Sequence, residues 1–219
     1  MAFLESIRSS DKRIPPGKMV FNTIAVLLLG VVLGVFSKYL DYHQGDLPHL
    51  LMLIDETLDL HNFLGRFPFW VVMAVCLSVG SNSAPRAAVN VFAFFVGMVS
   101  SYYGYSYWIA GFFPRSYAMI WAAFTIISPL LAFICWYAKG KGALSLVLSA
   151  IIIAALFNMT FSYGWGYFDL RSVLELLALL CGLVVLKRST IIGTVVMAVL
   201  GAGIAPILNA VLPYQFRLW

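Results

Sequence analysis

The chain has 219 residues, of which 62% are hydrophobic and 11% charged, and its mean hydropathy is +0.93. Soluble domains carry about 45–50% apolar and about 25% charged residues, so a water-soluble enzyme domain, a nucleic-acid reader and a disulfide-stapled secreted module are excluded. The net charge of +5 does not restore a nucleic-acid partner, because the basic residues stand singly or in pairs along the chain.

Unbroken apolar runs such as AVLLLGVVLGVF and LSLVLSAIIIAALF replace the ~10-residue alternating segments of an outer-membrane barrel. They predict an all-α fold: a polytopic transmembrane helix bundle with the lipid bilayer as its surroundings.

Residues 1–18 are polar, with Arg8, Lys12, Arg13 and Lys18 around Pro15 and Pro16, and read as a cytoplasmic tail. The apolar stretch 19–39 lacks a small-x-small cleavage site after it and reads as a retained first span, not a signal peptide. Within it Gly30-x-x-x-Gly34, followed by Ser37, lays small residues along one stripe. Such a stripe calls for a closely packed neighbour, either another span of this chain or a separate subunit.

Next comes LPHLLMLIDETLDLHNFL, residues 47–64, where Leu47, Leu50, Leu51, Ile54 and Leu58 recur at helical spacing and Asp55, Glu56 and Asp59 take other positions. This predicts an amphipathic helix that does not span. Its acidic polar face is repelled by anionic headgroups, so it is expected to dock on the bundle, with Asp55, Glu56 and Asp59 on a lid. His43, His49 and His61 are of metal-ligating type, but their spacing fits no metal motif, and no metal or other cofactor is expected.

Further spans fall at about 67–80, 87–104, 116–138, 143–161, 172–186 and 189–212, with a tail at 213–219. Residues 19–212 thus form a single domain of seven spans, or of six if the last two make a hairpin that fails to cross. Ser83 and Pro85 read as the cap and first turn of the third span and Asp169 as the cap of the sixth. Ala118-x-x-x-Ala122 and Gly201-x-x-x-Ala205 are further small-residue stripes. Pro129 and Pro206 fall inside spans and free a carbonyl each, with Thr125, Ser128 and Asn209 at hand as donors. Cys76, Cys135 and Cys181 all fall inside apolar spans and read as packing residues.

With the N-terminus inside, nine basic residues face the cytoplasm (Arg8, Lys12, Arg13, Lys18, Arg86, Lys139, Lys141, Lys187, Arg188). Five face out (Lys38, Arg66, Arg115, Arg171, Arg217), which is the positive-inside bias.

Asn22, Asn90, Asn158, Thr160 and Glu175 lie at or near membrane depth, where an unpaired polar group is costly; each is a helix-to-helix bond or a site. Glu175 follows Arg171 by four residues and pairs with it on one helix face in the simplest account. Asn158 sits about one turn from the outer boundary, where it would line an outward pocket.

Aromatic residues concentrate on that side: Phe67, Phe69, Trp70, then Tyr102 through Tyr117, then Tyr163, Trp165, Tyr167 and Phe168, and finally Tyr214, Phe216 and Trp219. An interfacial belt explains many of them, and a ring-lined pocket explains their asymmetry. The pocket reading names Tyr103, Trp108, Asn158, Trp165, Tyr167, Asp169 and Glu175, and suits a flat or cationic small molecule.

The sequence contains no HExxH, Gly-x-Ser-x-Gly, Walker or CxxC motif, and no catalytic residue is expected. The stretch from Ala84-Pro85-Arg86 through Ser100-Ser101-Tyr102-Tyr103 resembles an uncharacterised family of small bacterial polytopic membrane proteins. In size, span count, an inside N-terminus and the Gly30/Gly34 stripe, the chain is also similar to the substrate-binding membrane subunits of energy-coupling-factor vitamin transporters. That family has Ala-x-x-x-Ala where this chain has Gly30 and Gly34, and it usually has six helices. The resemblance implies a bacterial inner-membrane location, a membrane coupling subunit against Gly30 and Gly34, and a substrate held by the outer loops.

The expected function is capture or transport of a small molecule from the outer face, within a transporter. The competing expectation is a membrane assembly protein that transports nothing.

Overall fold

In the computed structural model, which describes residues 2–10 and 14–211, helices follow one another almost without interruption. The expectations placed on Lys12, Arg13, Tyr214, Phe216, Arg217 and Trp219 lie outside the described residues.

A short α1 (Ala2–Ile7) precedes α2 (Pro16–Tyr42), whose start is set by Pro16 in its first turn, where a missing N–H costs nothing. Two short helices, α3 (His49–Leu58) and α4 (Leu60–Gly65), lead to α5 (Phe67–Gly80). Then come α6 (Ala84–Trp108), α7 (Arg115–Ala138) and α8 (Gly142–Thr160). A hairpin of β1 (Phe161–Gly164) and β2 (Tyr167–Leu170) precedes α9 (Val173–Leu186) and α10 (Ile191–Val211).

The fold is therefore helical apart from one antiparallel hairpin, in which Phe161 faces Leu170, Ser162 faces Asp169, Tyr163 faces Phe168 and Gly164 faces Tyr167. Gly166 at its turn has φ +85°, a conformation open to glycine.

Among the described residues, five helices (α2, α6, α7, α8 and α10) are long and apolar enough to cross a membrane. Helices α5 and α9 are equally apolar but have only 14 residues each. At about 1.5 Å per residue this makes them about 21 Å long, short of ~30 Å of hydrocarbon. Helix α5 is enclosed: apart from its last residue no part of it is exposed, and it touches α6, α7, α8 and α9, whereas α9 keeps Val173, Leu177, Leu180 and Val184 exposed.

The seven apolar helices alternate in direction, which defines two ends. At one, the starts of α2, α6, α8 and α10 meet the finishes of α5, α7 and α9; at the other lie α3, α4 and the hairpin. These are called the basic end and the hairpin end below.

Two parallel pairs frame the bundle. In α2 and α6 the backbones touch: a Cβ on Gly30 would stand 2.1 Å from the Phe94 carbonyl oxygen, one on Gly34 2.4 Å from that of Met98, and one on Gly97 2.4 Å from that of Leu27. The stripe expected to need a neighbour thus has α6 as that neighbour. Gly201 and Ala205 of α10 pack likewise on α8, where a Cβ on Gly201 would meet Ile153 and the Ala150 carbonyl.

Pro129 frees the carbonyl of Thr125, which accepts a hydrogen bond from Ser128 Oγ at 2.9 Å. Ser83 caps α6 by accepting from the Arg86 N–H at 3.4 Å. Helix α9 is capped by Ser172, which accepts from the Glu175 N–H at 3.2 Å, and not by Asp169, which lies in β2. A hydroxyl immediately ahead of the first turn outcompetes a carboxylate four residues away.

Candidate functional site

The expected outer amphipathic helix is two helices, broken at Asp59, which takes the left-handed conformation at φ 56°. Asp55 fixes the corner by accepting from the backbone N–H of His61 at 2.7 Å and pairing with its Nδ1 at 2.8 Å. Leu47, Phe63 and Leu64 bury themselves in the core, which docks this segment on the bundle. Glu56 is exposed and Asp59 faces His61 and Arg66, so the three acidic residues hold or flank the corner. The part of the segment that meets a cavity is Leu64–Gly65.

That cavity, of about 270 Å³, lies at the hairpin end between α2, α4, α5, α6 and the start of α7. Its inner wall is Ser37, Trp70, Met98 and Tyr103, all buried, and its mouth is formed by the exposed Asp41, Phe112 and Tyr117. Each wall is held by a specific bond. The indole N–H of Trp70 donates to the Leu64 carbonyl at 2.8 Å, and Ser37 Oγ donates to the same oxygen at 3.4 Å, tying α4 to α5 and α2. Tyr103 packs its ring against Phe113 at 5.6 Å, and Trp121 crosses Trp70 edge-on at 6.3 Å.

Lys38 reaches into this ring-lined space. It is 3% exposed and donates to Asp41, one turn on, while its ammonium lies 4.7 Å from the centre of the Phe112 ring and 5.3 Å from that of Tyr102. The Tyr102 hydroxyl in turn donates to Asp41 at 3.5 Å. A buried ammonium is tolerated only when paired, and aromatic faces add further attraction. The cavity thus brings one buried cation and one anion at its mouth together among aromatic walls.

Of the residues that the sequence singled out for a pocket, Tyr103 alone lines this cavity. Trp108 is 81% exposed and Trp165, at the tip of the hairpin, fully so; Tyr167 and Asp169 are exposed on β2. Asn158 is buried and bridges elements: its Nδ2 donates to the Ala205 carbonyl at 2.9 Å, and its Oδ1 accepts from the Tyr163 hydroxyl at 2.6 Å. Asn158, expected to line an outward pocket, thus lies buried beneath the Tyr163 hydroxyl of the hairpin. Burial holds the Tyr163 hydroxyl above its ordinary pKa.

Glu175 is 1% exposed and pairs not with Arg171 but with Arg66, whose Nη1 donates to Oε1 at 2.9 Å from the start of α5. Arg171 instead uses its backbone N–H, which donates to the Thr160 carbonyl at 3.0 Å as the hairpin closes. Neighbours at i,i+4 yield here because Glu175 points inward at the first turn of α9, where Arg66 lies.

A second cavity, of about 280 Å³ between α5, α6, α7 and α8, is lined almost wholly by apolar groups. Its serines are engaged locally: Ser78 donates to Ala74 and Ser128 to Thr125. The sequence reading counted Lys38 only among the basic residues at the outer end of the first span. The available signal was its place four residues after Gly34, on the face that the stripe buries. Comparison with protein-family models, curated proteins and solved structures finds no match for this chain.

Proposed function

We propose that the chain is an integral protein of the bacterial inner membrane that captures a small molecule from the outer face, in the cavity between α2, α4, α6 and α7. The observation that carries this reading is the buried Lys38, paired with Asp41 at the mouth and set among Tyr102, Tyr103, Phe112 and Trp121 in a cavity at one end of the bundle. A buried ammonium is costly for stability alone, and a bound polar ligand is what such an arrangement serves.

The basic end faces the cytoplasm in this reading, following the positive-inside bias, so the cavity opens outward. All seven apolar helices cross; α5, with 14 residues, is enclosed by protein, and α9, also 14 residues, keeps an exposed apolar face, with the flanking loops completing both paths. If the chain is one subunit of a transporter, the coupling subunit meets a face other than Gly30 and Gly34, since α6 already covers these.

The test is native mass spectrometry of the full chain purified from host membranes in mild detergent. A small molecule retained by the wild type and lost from Tyr103→Ala and Trp121→Ala variants of normal yield supports capture. A stoichiometric protein partner with no ligand moves the assignment to membrane assembly.

A further inference from the structure

We infer that the cavity selects a zwitterion: a small molecule with one carboxylate and one ammonium on neighbouring atoms and a flat apolar body, the chemistry of an aromatic amino acid. The inference rests on the capture reading above and names its substrate class.

The donor count comes first. An ammonium has three N–H donors, and among the described residues Lys38 is bonded to Asp41 alone. Its other surroundings are the faces of Phe112 and Tyr102, which attract a cation but offer no lone pair in the plane of a hydrogen bond. A carboxylate is the strongest acceptor that such a buried, under-bonded cation takes.

Charge balance then sets the rest of the ligand. Lys38 and Asp41 already cancel, so an anion alone would leave the cavity with one net negative charge between apolar walls, a costly state. An ammonium on the same ligand removes that excess. It has a place to go: the Asp41 side chain is 42% exposed at the mouth, whereas that of Lys38 is 4% exposed at depth. The two protein charges are in contact, so the ligand's two charges must also lie close together, as on one carbon and its substituents.

The remaining wall consists of Trp121, Tyr117, Tyr103 and Met98, which suits a ring or flat apolar group stacked against indole and phenol faces. A volume of about 270 Å³ limits the ligand to a small metabolite.

Three indole compounds of nearly one shape separate the possibilities: tryptophan (zwitterion), tryptamine (cation) and indolepropionate (anion), each titrated calorimetrically into the full chain in mild detergent. Tryptophan is expected to bind at least about tenfold more tightly than either singly charged relative. Lys38→Met should weaken tryptophan by about tenfold or more, and Asp41→Asn should invert the order so that indolepropionate binds best. Inversion is a result that a misfolded variant cannot produce. Equal or tighter binding of tryptamine or indolepropionate by the wild type overturns the inference, as does tryptophan binding that survives Lys38→Met, or no binding of any of the three. Capture is judged separately: a neutral or singly charged molecule retained in native mass spectrometry keeps that reading and removes the zwitterion.

Discussion

The two ends of the bundle use the same kinds of charged residue in opposite ways. At the basic end, cations are spent on helix C-termini: Arg8 donates to the carbonyls of Val79 and Trp136, Lys139 to those of Val185 and Lys187, and Arg188 to that of Ala138. The negative ends of α5, α7 and α9 thus each hold a positive side chain. Crowding has a measurable sign there, since burial and then the neighbouring Lys187, Arg188 and Arg8 hold the Lys139 ammonium below its ordinary pKa. At the hairpin end, cations meet carboxylates: Lys38 with Asp41, Arg66 with Glu175 and Asp59. Carbonyl caps need no partner beyond the backbone, and Arg8, engaged in this way, lines a cavity of about 390 Å³ together with Glu5, Phe133 and Trp136. The cavity at the hairpin end lies beside the Lys38–Asp41 pair of α2, and Arg66 and Glu175, which join α5 to α9, do not line it.

The largest test of this contrast is Arg66→Ala. Glu175 is buried, and its Oε2 already has no hydrogen-bond partner among the described residues. Removing Arg66 strands a buried charge, with an expected loss on the order of 3 kcal/mol, read as a lowered Tm in detergent. Glu175→Gln in the same background should recover most of it, because a neutral amide has no charge to strand. If the double variant melts no higher than Arg66→Ala alone, the pair is not what holds α9 to α5.

At the opposite end, Arg8→Ala removes two carbonyl caps and a guanidinium stacked 4.2 Å from the centre of the Trp136 ring. The expected loss is about 1–2 kcal/mol, with faster proteolysis ahead of α2 as α1 detaches. A loss as large as that of Arg66→Ala would erase the distinction between the ends.

The helices were legible in the sequence because each is written in its own local pattern: apolar runs give α2 and α5 to α10, and Ser83-Ala84-Pro85 marks the start of α6. What failed was long-range. Nothing local says that Glu175 reaches Arg66, 109 positions away, instead of Arg171, or that Asn158 is closed over by Tyr163. The hairpin was read as a plain connection, although Gly164 and Gly166 around Trp165, flanked by alternating aromatics, are a turn signal. Of the cavity, the aromatic excess and Tyr103 were legible; Lys38 was not, since its burial depends on α6 lying against α2.

The smallest effect belongs to the hairpin. Tyr163→Phe removes the hydroxyl that donates to Asn158 Oδ1 at 2.6 Å, with an expected loss of about 1 kcal/mol at neutral pH. The pH dependence has a definite direction. Burial raises the folded-state pKa of Tyr163 above its ordinary value near 10, so the folded protein favours the protonated phenol. That contribution is fully present below the unfolded pKa and is lost as pH rises through the folded one. Wild type should therefore lose its advantage over Tyr163→Phe in alkaline melts above about pH 10, and the two curves should converge. Eleven tyrosines titrate in that range, which is why the difference between the two proteins is the quantity to follow. Curves that coincide at every pH would mean that Tyr163 serves by packing its ring on Phe157 and Phe168. The hairpin end would then be held at this point by apolar contact, with the Asn158 bond adding little.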